Sequence, residues 1–352
     1  MKSPTMKDVA GQAEVSVATV SRVLNGKGTV TSELRRRVLD AVEQLQYRPN
    51  RVARNLRTRS AKTIALVVPD IQNPFFVAVA RGVEKVAFRE GYTVFLCNTD
   101  DDLERENAYF QLLSDESVAG VILCATDERR SSIHVRKAVE QGIAVVGLDR
   151  RLENTMIDVV LSDNFGGART AVSYLIEQGH ERIGLIAGPS IYAPARERRM
   201  GYEYALTDHG LPVDPELIKV TDFKSPGAKI ATEELMSAPD RPTALFLTSG
   251  NVAIGSLGAL HHLGLSIPED ISLIVFDDLD WAAAYNPPIS AVAQDTRQLG
   301  GLAGDLLLRR IRGDEEPPQE RRLPTQLIVR ASSDGPSNQT KVQSEAIGEM
   351  GI

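Results

Sequence analysis

The feature that most constrains this chain is a pair of short amphipathic stretches between residues 5 and 25, joined by a tight turn. In both stretches apolar residues recur at helical spacing: Val9, Ala10 and Ala13 in the first, and Val20, Val23 and Leu24 in the second. Thr5 and Asp8 form a capping pair for the first helix, and Ser16 begins the second in the same way. The pattern predicts a helix-turn-helix.

A third amphipathic segment, residues 32–45, completes a small helical core. Its predicted buried positions are Leu34, Val38, Val42 and Leu45. The outward positions of the second helix are then Val17, Ala18, Ser21 and Arg22. In a helix-turn-helix, these positions lie at the end that enters the DNA major groove. Arg22 can pair with guanine, whereas Val17 and Ala18 suit the methyl groups of thymine.

The distribution of charge supports a DNA-binding head. Residues 1–60 contain twelve Lys or Arg and only five Asp or Glu, whereas the whole chain of 352 residues carries a net charge of −7. The remainder of the chain is therefore acidic, and phosphate repels it. Any contact with nucleic acid is expected through the N-terminal segment. The alternative is an ordinary solvated face with many basic residues.

The residues of this head resemble those of a known family. The string DVA…VSVATVSRVLNG, followed by Tyr47-Arg-Pro-Asn50, Val52-Ala-Arg54 and Leu56, closely resembles the lactose/purine repressor (LacI/GalR) family of bacterial transcription regulators. The resemblance extends over residues 5–333. It implies a sequence-specific repressor that binds a palindromic operator as a homodimer and responds to a small effector.

The resemblance also implies which residues contact DNA. They are Thr5, Ser16, Val17, Ala18, Thr19, Ser21, Arg22, Asn25, Asn50, Ala53, Arg54 and Leu56. In the family, residues matching 52–56 form a hinge helix that folds when two subunits lie side by side on DNA. Leu56 would then wedge into the minor groove and kink the duplex, while Arg54 and Arg57 hold phosphates. The alternative reading of Leu56 is an ordinary core leucine of a helix.

From residue 63 onward, short apolar runs alternate with amphipathic segments, which predicts parallel sheets built from βαβ units. The predicted strands are 64–68, 93–97, 120–124, 144–148, 159–161, 183–186, 218–220, 244–247 and 273–276. They form two series and therefore two doubly wound lobes. By resemblance, these lobes form a periplasmic-binding-protein-like (type I) sensor, and the chain crosses between them near residues 161, 290 and 320.

The expected organisation is an all-α head at 1–46, a hinge and linker at 47–62, an effector-binding and dimerisation domain at 63–333, and a polar tail at 334–352. The first lobe is expected to contain about 63–161 and 290–320, and the second about 162–289 and 321–333. The tail lacks leucine heptads, so it offers no counterpart to the tetramer-forming helix of some relatives. We therefore expect a homodimer.

Ligands of doubly wound sheets bind at the carboxyl ends of the strands. Polar or aromatic residues that follow strands, or that match effector-facing positions of the family, are Asp70, Asn73, Phe75, Phe76, Asp149, Arg150, Asp163, Arg196, Phe223, Ser249, Asn251 and Asp277. By resemblance, Arg196 and Asp277 are a pair that faces the effector, with Phe76 and Phe223 against it. Such groups suit the hydroxyls and C–H face of a sugar. Phe223 is equally consistent with plain core packing.

One position departs from the family pattern. Where relatives commonly have Asn-Asp, this chain has Ser249-Gly250, followed by Asn251. The missing carboxylate indicates an effector that is less rich in hydroxyls or more anionic than a simple sugar. Arg150, Arg151 and Arg196 would fit a sugar acid or sugar phosphate. Alternatively, Asn251 takes over the lost contact.

Other functions are disfavoured by what the sequence lacks. It has no phosphate-binding loop, dinucleotide fingerprint, nucleophile elbow or zinc-protease motif, so no enzyme activity and no cofactor are expected. Cys97 and Cys124 lie in apolar runs and are read as buried thiols, and the five histidines form no metal-ligand cluster. With neither a membrane-length apolar run nor a signal peptide, we expect a cytoplasmic protein. The alternative function is a sugar-binding transport protein of the same sensor fold.

Overall fold

The computed structural model describes residues 4–25, 30–47 and 62–334. The chain divides into two compact units, Met1–Ala61 and Lys62–Ile352. Among the described helices, none is both long enough and apolar enough to cross a membrane.

The head consists of the three predicted helices: α1 (Met6–Gln12), α2 (Val17–Asn25) and α3 (Ser32–Gln44). Val9, Val20 and Val38 are fully buried at their meeting point. Thr5 and Asp8 form the predicted reciprocal cap of α1, each accepting a backbone N–H from the other. Ser16 Oγ accepts the Thr19 N–H at 3.1 Å and so caps α2. Capping of its helices and one small hydrophobic core thus account for the fold of the head.

Tyr47 corrects the predicted boundary between head and linker. It was expected to begin the linker, but it is 7% exposed and packs in the core of the head, and its N–H donates to Val42 O at 2.9 Å. An aromatic side chain next to three small helices gains more by filling their core than by facing water. The hinge segment 48–61, with Asn50, Ala53, Arg54, Leu56 and Arg57, lies outside the described residues, so its role stays a prediction.

The larger unit contains two six-stranded sheets. The first has the order β11-β5-β4-β3-β1-β2 and is parallel throughout. Its strands are β1 (Thr63–Val68), β2 (Thr93–Asn98), β3 (Gly120–Leu123), β4 (Ala144–Leu148), β5 (Asp158–Ser162) and β11 (Glu320–Leu323). The central strands are continuous apolar runs because helices cover both faces of the sheet.

The second sheet has the order β12-β10-β9-β8-β6-β7, and only β12 runs antiparallel to its neighbour. Its strands are β6 (Ile183–Ala187), β7 (Ile218–Val220), β8 (Ala244–Leu247), β9 (Ser272–Phe276), β10 (Ser290–Gln294) and β12 (Thr325–Ile328). The two doubly wound lobes predicted from the sequence are therefore present.

Nine α-helices within residues 62–334 cover the two sheets. They are α4 (Pro74–Arg89), α5 (Leu103–Asp115), α6 (Ser132–Glu140), α7 (Asn164–Glu177), α8 (Ala193–Asp208), α9 (Ser225–Met236), α10 (Gly250–His262), α11 (Asp280–Ala284) and α12 (Thr296–Ile311). Two short 3₁₀ helices, Pro215–Leu217 and Ala331–Ser333, complete the described part.

The crossings between the lobes differ from the expected ones. Residues 290–294 were assigned to the first lobe, but they form β10 between β9 and β12 of the second sheet, where Val292 is fully buried. Residues 321–323 were assigned to the second lobe, but they belong to β11 of the first sheet. The chain therefore crosses at about 163, 295 and 324. These short strands are defined by their neighbours in the sheet, which local sequence does not reveal.

A close helix pair provides the first test. Helices α4 and α12 approach so closely that a Cβ atom built on Gly300 would lie 2.1 Å from Val79 O. We expect Gly300→Ala to lower the free energy of unfolding by about 1–3 kcal/mol, because backbone must move to admit the methyl group. Denaturant unfolding of the full chain measures this loss.

The matched control is Gly301→Ala in the same helix, where the nearest atom to an added Cβ is Val86 Cγ2 at 3.9 Å. This variant should be as stable as the parent protein or up to about 1 kcal/mol more stable, since alanine favours a helix over glycine. Equal stability of the two variants would contradict the close approach of α4 and α12.

Candidate functional site

The head presents the outward side of α2. Val17 is 42% exposed, and Ala18 and Arg22 are also exposed, while Val20 and Val23 are buried on the opposite face. The hydroxyls of Ser16 and Thr19 lie 2.9 Å apart at the start of this helix. The Asn25 side chain lies outside the described residues. The arrangement leaves an arginine and two small apolar side chains at the surface, which is the chemistry that reads base edges.

In the larger unit, residues from both sheets line one cleft of about 740 Å³. The lining includes ten of the predicted sensor residues: Asp70, Asn73, Phe75, Phe76, Asp149, Arg150, Phe223, Ser249, Asn251 and Asp277. The structure therefore brings together residues as far apart in the sequence as Asp70 and Asp277. Their role in binding an effector stays a prediction.

Local structure fixes the walls of this cleft. Asn73 Oδ1 accepts the Phe75 N–H at 3.0 Å and caps α4, which places Phe75 and Phe76 edge to face with their ring centroids 5.0 Å apart. Ser249 Oγ caps α10 through the Val252 N–H. Asp149, Phe223 and Asp277 have positive φ angles of 62°, 63° and 87°. Strained backbone of this kind is typical of ligand-binding positions.

Arg196, which was expected in the cleft, does not line it. Its guanidinium donates to Ser190 O and Ile191 O, both at 2.9 Å, and to Glu128 Oε2 at 2.7 Å. Arg198 lies in the cleft instead and is 5% exposed. Two positions along a helix turn the side chain by about 200°, so the two arginines face opposite sides of α8.

Helical spacing in the sequence could have identified Arg198. Ala195, Arg198, Tyr202 and Ala205 recur at intervals of three and four, and all are buried. The resemblance alone pointed to Arg196, which does not line the cleft, because several charged residues stand side by side at 196–199.

Arg198 is held rigidly within the second lobe. Its Nε donates to Asn164 Oδ1 at 2.8 Å, and its Nη1 donates to Thr248 O at 2.6 Å. The guanidinium carbon lies 3.7 Å from the ring centroid of Phe276. A planar cation with its orientation fixed in this way can offer its remaining N–H groups to a ligand oxygen.

Asp163 also lies outside the cleft lining. Its Oδ1 accepts the Gly166 N–H at 3.0 Å and caps α7, next to the point where the chain first passes from one lobe to the other. Its neighbour Asn164 holds Arg198. Asp163 therefore shapes the wall of the cleft indirectly.

The cleft lining also includes residues that were not predicted from the sequence. Among them are Asp100, Asp101, Tyr192, Arg198, Asp222, Lys224 and Gln294.

The electrostatics of the cleft depend chiefly on two buried aspartates, one from each lobe. Asp149, from the first lobe, is 9% exposed, and burial raises its pKa, although the Arg198 and Arg150 guanidiniums oppose this rise. Asp277, from the second lobe, accepts the Gln294 Nε2–H at 2.5 Å. Burial lowers the pKa of Arg198, and the charges of Asp277 and Asp149 counteract this. Gln294 Oε1 is buried and has no partner among the described residues.

The three arginines expected to favour an anionic effector each have a carboxylate partner. Arg150 donates to Asp101 Oδ1 at 2.8 Å and to Ala125 O at 2.9 Å. Arg151 Nη2 lies 2.5 Å from Glu320, and Arg196 is paired with Glu128. An arginine that is already neutralised attracts an anion much less strongly.

The two cysteines are free buried thiols, as the sequence indicated, and Cys124 Sγ lies 3.9 Å from Asp149 Oδ2. Burial raises the pKa of Cys124 well above its usual value, so the thiol stays protonated. In the described ranges, no group of three or more His, Cys, Asp or Glu side chains could hold a metal ion.

Comparison with known proteins places both units. Residues 5–50 match the model of bacterial regulatory proteins of the lacI family, and residues 172–333 match a periplasmic binding protein-like domain. The ribose operon repressor of Halalkalibacterium halodurans is 37% identical over 334 residues, which is 95% of this chain and 98% of that protein.

Solved structures agree with this assignment. The lac repressor dimer bound to operator and the anti-inducer ONPF has a TM-score of 0.84 at 27% identity, covering 94% of this chain and 99% of its own. A LacI-family regulator from Enterococcus faecium with bound ribose has a TM-score of 0.69 at 29% identity, covering 77% and 98%.

A DNA-binding head joined to a two-lobed ligand-binding unit defines a ligand-controlled transcription regulator. This chain belongs to the LacI family of bacterial regulatory proteins. Like its relatives, which are named repressors, it is a transcriptional repressor and not an enzyme.

Replacing Arg198 tests the electrostatics of the cleft. Arg198→Ala should lower the free energy of unfolding at pH 7 by about 3–5 kcal/mol, because Asp149 and Asp277 would be left as buried carboxylates without this cation. Burial raises the pKa of the Asp149 carboxyl, which therefore holds its proton more tightly in the folded state than in the unfolded chain. Acid therefore favours the folded form. The difference in free energy of unfolding between the parent protein and Arg198→Ala should narrow as the pH falls from 7 towards 4.

Urea unfolding at several pH values measures this effect. Arg196→Ala is the control, because its side chain is 43% exposed and its loss should cost no more than about 1 kcal/mol. If Arg198→Ala loses little free energy of unfolding, or loses the same amount at every pH, the charge of this arginine does not compensate the charges of the two aspartates.

Proposed function

We propose that this repressor binds a neutral monosaccharide with adjacent hydroxyl groups, of the pentose class, in the cleft between its lobes, and that the sugar controls operator affinity. The observation that carries this proposal is the charge of the cleft. Its lining has six aspartates against two arginines and one lysine, and Arg150 is already paired. Excess carboxylate repels a phosphate or sugar acid and accepts hydrogen bonds from hydroxyls.

The arrangement of polar and aromatic groups supports a sugar. Asp149 and Asp277 accept hydrogen bonds, Arg198 donates them, and the unpartnered Gln294 Oε1 offers one more acceptor. The rings of Phe75, Phe76, Tyr192 and Phe223 supply flat faces for C–H groups. A few convergent polar groups within aromatic walls are typical of small-ligand sites.

The relatives point the same way. One is named a ribose operon repressor, and another was solved with bound ribose. We therefore choose ribose as the first sugar to test. The sugar-acid effector considered from the sequence becomes the less favoured candidate, because Arg150, Arg151 and Arg196 are all engaged.

We infer that the DNA partner is a palindromic operator bound by a homodimer. The outer strand of each sheet exposes apolar side chains, Phe95 and Leu96 on β2 and Val220 on β7. Apolar edge strands are normally covered, and a second copy of the chain would cover them. In each head, the exposed Arg22 would read guanine. Because the target is operator DNA, we assign the protein to the cytoplasm. The lacI-type head argues against a purely transport role.

Isothermal titration calorimetry with a panel of ligands tests the effector class. We expect D-ribose to bind and ribose 5-phosphate to bind at least about tenfold more weakly, since a dianion among carboxylates costs more than about 1.4 kcal/mol. Adenine should not bind, because it has no hydroxyl groups to donate to the carboxylates. Asp277→Asn should weaken ribose binding. Tighter binding of the phosphate, or of a sugar acid such as gluconate, would overturn the neutral-sugar proposal.

A further inference from the structure

One carboxylate reaches across the cleft from the first lobe to the second. Glu128 lies in the loop after β3, and its side chain is 10% exposed. Its Oε1 accepts the Ala193 N–H at 2.5 Å, and its Oε2 accepts an N–H of Arg196 Nη2 at 2.7 Å. Both partners belong to the first turn of α8, which packs on the second sheet.

This contact supplies a cap that α8 lacks in its own lobe. Its N-cap residue is Tyr192, whose side chain accepts no capping hydrogen bond, and Pro194 has no N–H to offer. By contrast, Asn73, Asp163 and Asp295 cap α4, α7 and α12 from within the same chain segment. A carboxylate at a helix N-terminus is stabilised by both the free N–H group and the helix dipole. Glu128 therefore caps α8 from the opposite lobe.

Other contacts across the lobes also end on the start of α8. The Arg150 guanidinium carbon, in the first lobe, lies 3.8 Å from the ring centroid of Tyr192. Arg322, on β11, donates to both carboxylate oxygens of Glu197 at 2.8 and 3.2 Å. The next residue of the helix is Arg198, which lines the cleft. The start of α8, which makes these contacts with the first lobe, therefore also presents Tyr192 and Arg198 to a ligand.

We propose that Glu128 is a positioning residue for the effector: by capping α8 across the cleft, it holds the lobes in the arrangement in which Tyr192 and Arg198 meet the sugar. This inference rests on the proposed binding of a sugar in the cleft. A ligand that contacts both lobes binds in proportion to the fraction of molecules with the lobes together. Removing a contact made only in that arrangement lowers this fraction and weakens apparent affinity.

The ion pair with Arg196 is the smaller part of this contact. The Arg196 side chain is 43% exposed, so water screens its charge. The Ala193 N–H, in contrast, lies at a helix start where no backbone carbonyl of a preceding turn can accept it, and it donates to Glu128 Oε1. The cap should therefore outweigh the salt bridge, and substitutions of Glu128 and Arg196 should have unequal effects.

Calorimetry of the full-length protein with D-ribose gives the first test. We expect Glu128→Ala to raise the Kd for ribose about tenfold, Glu128→Gln about threefold because its amide oxygen still accepts the Ala193 N–H, and Arg196→Ala by less than about threefold. The matched control is Glu153→Gln, which breaks an exposed ion pair with Arg129 inside the first lobe and should leave the Kd unchanged.

Hydrogen exchange of the sugar-free protein gives the second test and does not depend on the effector. The peptide that contains Ala193 and Ala195 should exchange faster in Glu128→Ala than in the parent, while Glu153→Gln should match the parent. A change in exchange without a change in Kd would make Glu128 a structural cap only, and would overturn the positioning role.

The outcomes separate this inference from the proposed function. If the parent protein does not bind ribose, the proposed sugar is wrong, and the exchange experiment still decides whether Glu128 caps α8. If the parent binds ribose and Glu128→Ala binds it equally well, the positioning role is wrong and the proposed function stands.

Discussion

The sensor depends on a buried arrangement of charge in which the Arg198 guanidinium interacts electrostatically with Asp149 of one lobe and Asp277 of the other. Removing three charges from water is costly unless each is compensated. Arg198 is kept in place by Asn164, Thr248 and the ring of Phe276, so it cannot swing out to solvent. The two lobes therefore meet over polar groups whose remaining hydrogen-bonding capacity a sugar can use.

This arrangement also explains how a small ligand can move a large unit. The chain passes between the lobes at about residues 163, 295 and 324, next to the cleft residues Asn164 and Gln294. A ligand that bridges Asp149 and Asp277 changes the relative free energies of the open and closed lobes. Contacts made by the first turn of α8 also contribute to the difference in free energy between the open and closed lobes. Under the proposed function, the lobes would rotate relative to each other as rigid bodies, as two-domain binding proteins commonly do.

Much of this could be predicted from the sequence because the signals are local. Alternating apolar runs and helices predicted the parallel sheets, and residues after strand ends predicted most of the cleft. The predictions that failed concerned features that depend on contacts between residues far apart in the sequence. The pairing of Arg150 with Asp101 and of Arg196 with Glu128 joins segments 49 and 68 positions apart, so local pattern gave no sign that these charges were neutralised. Strand β10 and buried Tyr47 are likewise defined by their neighbours in space.

The central claim is that sugar binding in the cleft and operator binding by the head are coupled, and linkage tests it most directly. Operator titrations with and without saturating D-ribose, paired with ribose titrations with and without operator, measure the coupling from both sides. We expect ribose to change operator affinity by a factor of about 5 to 150, and operator to change ribose affinity by the same factor. Ribose binding that leaves operator affinity unchanged would contradict it.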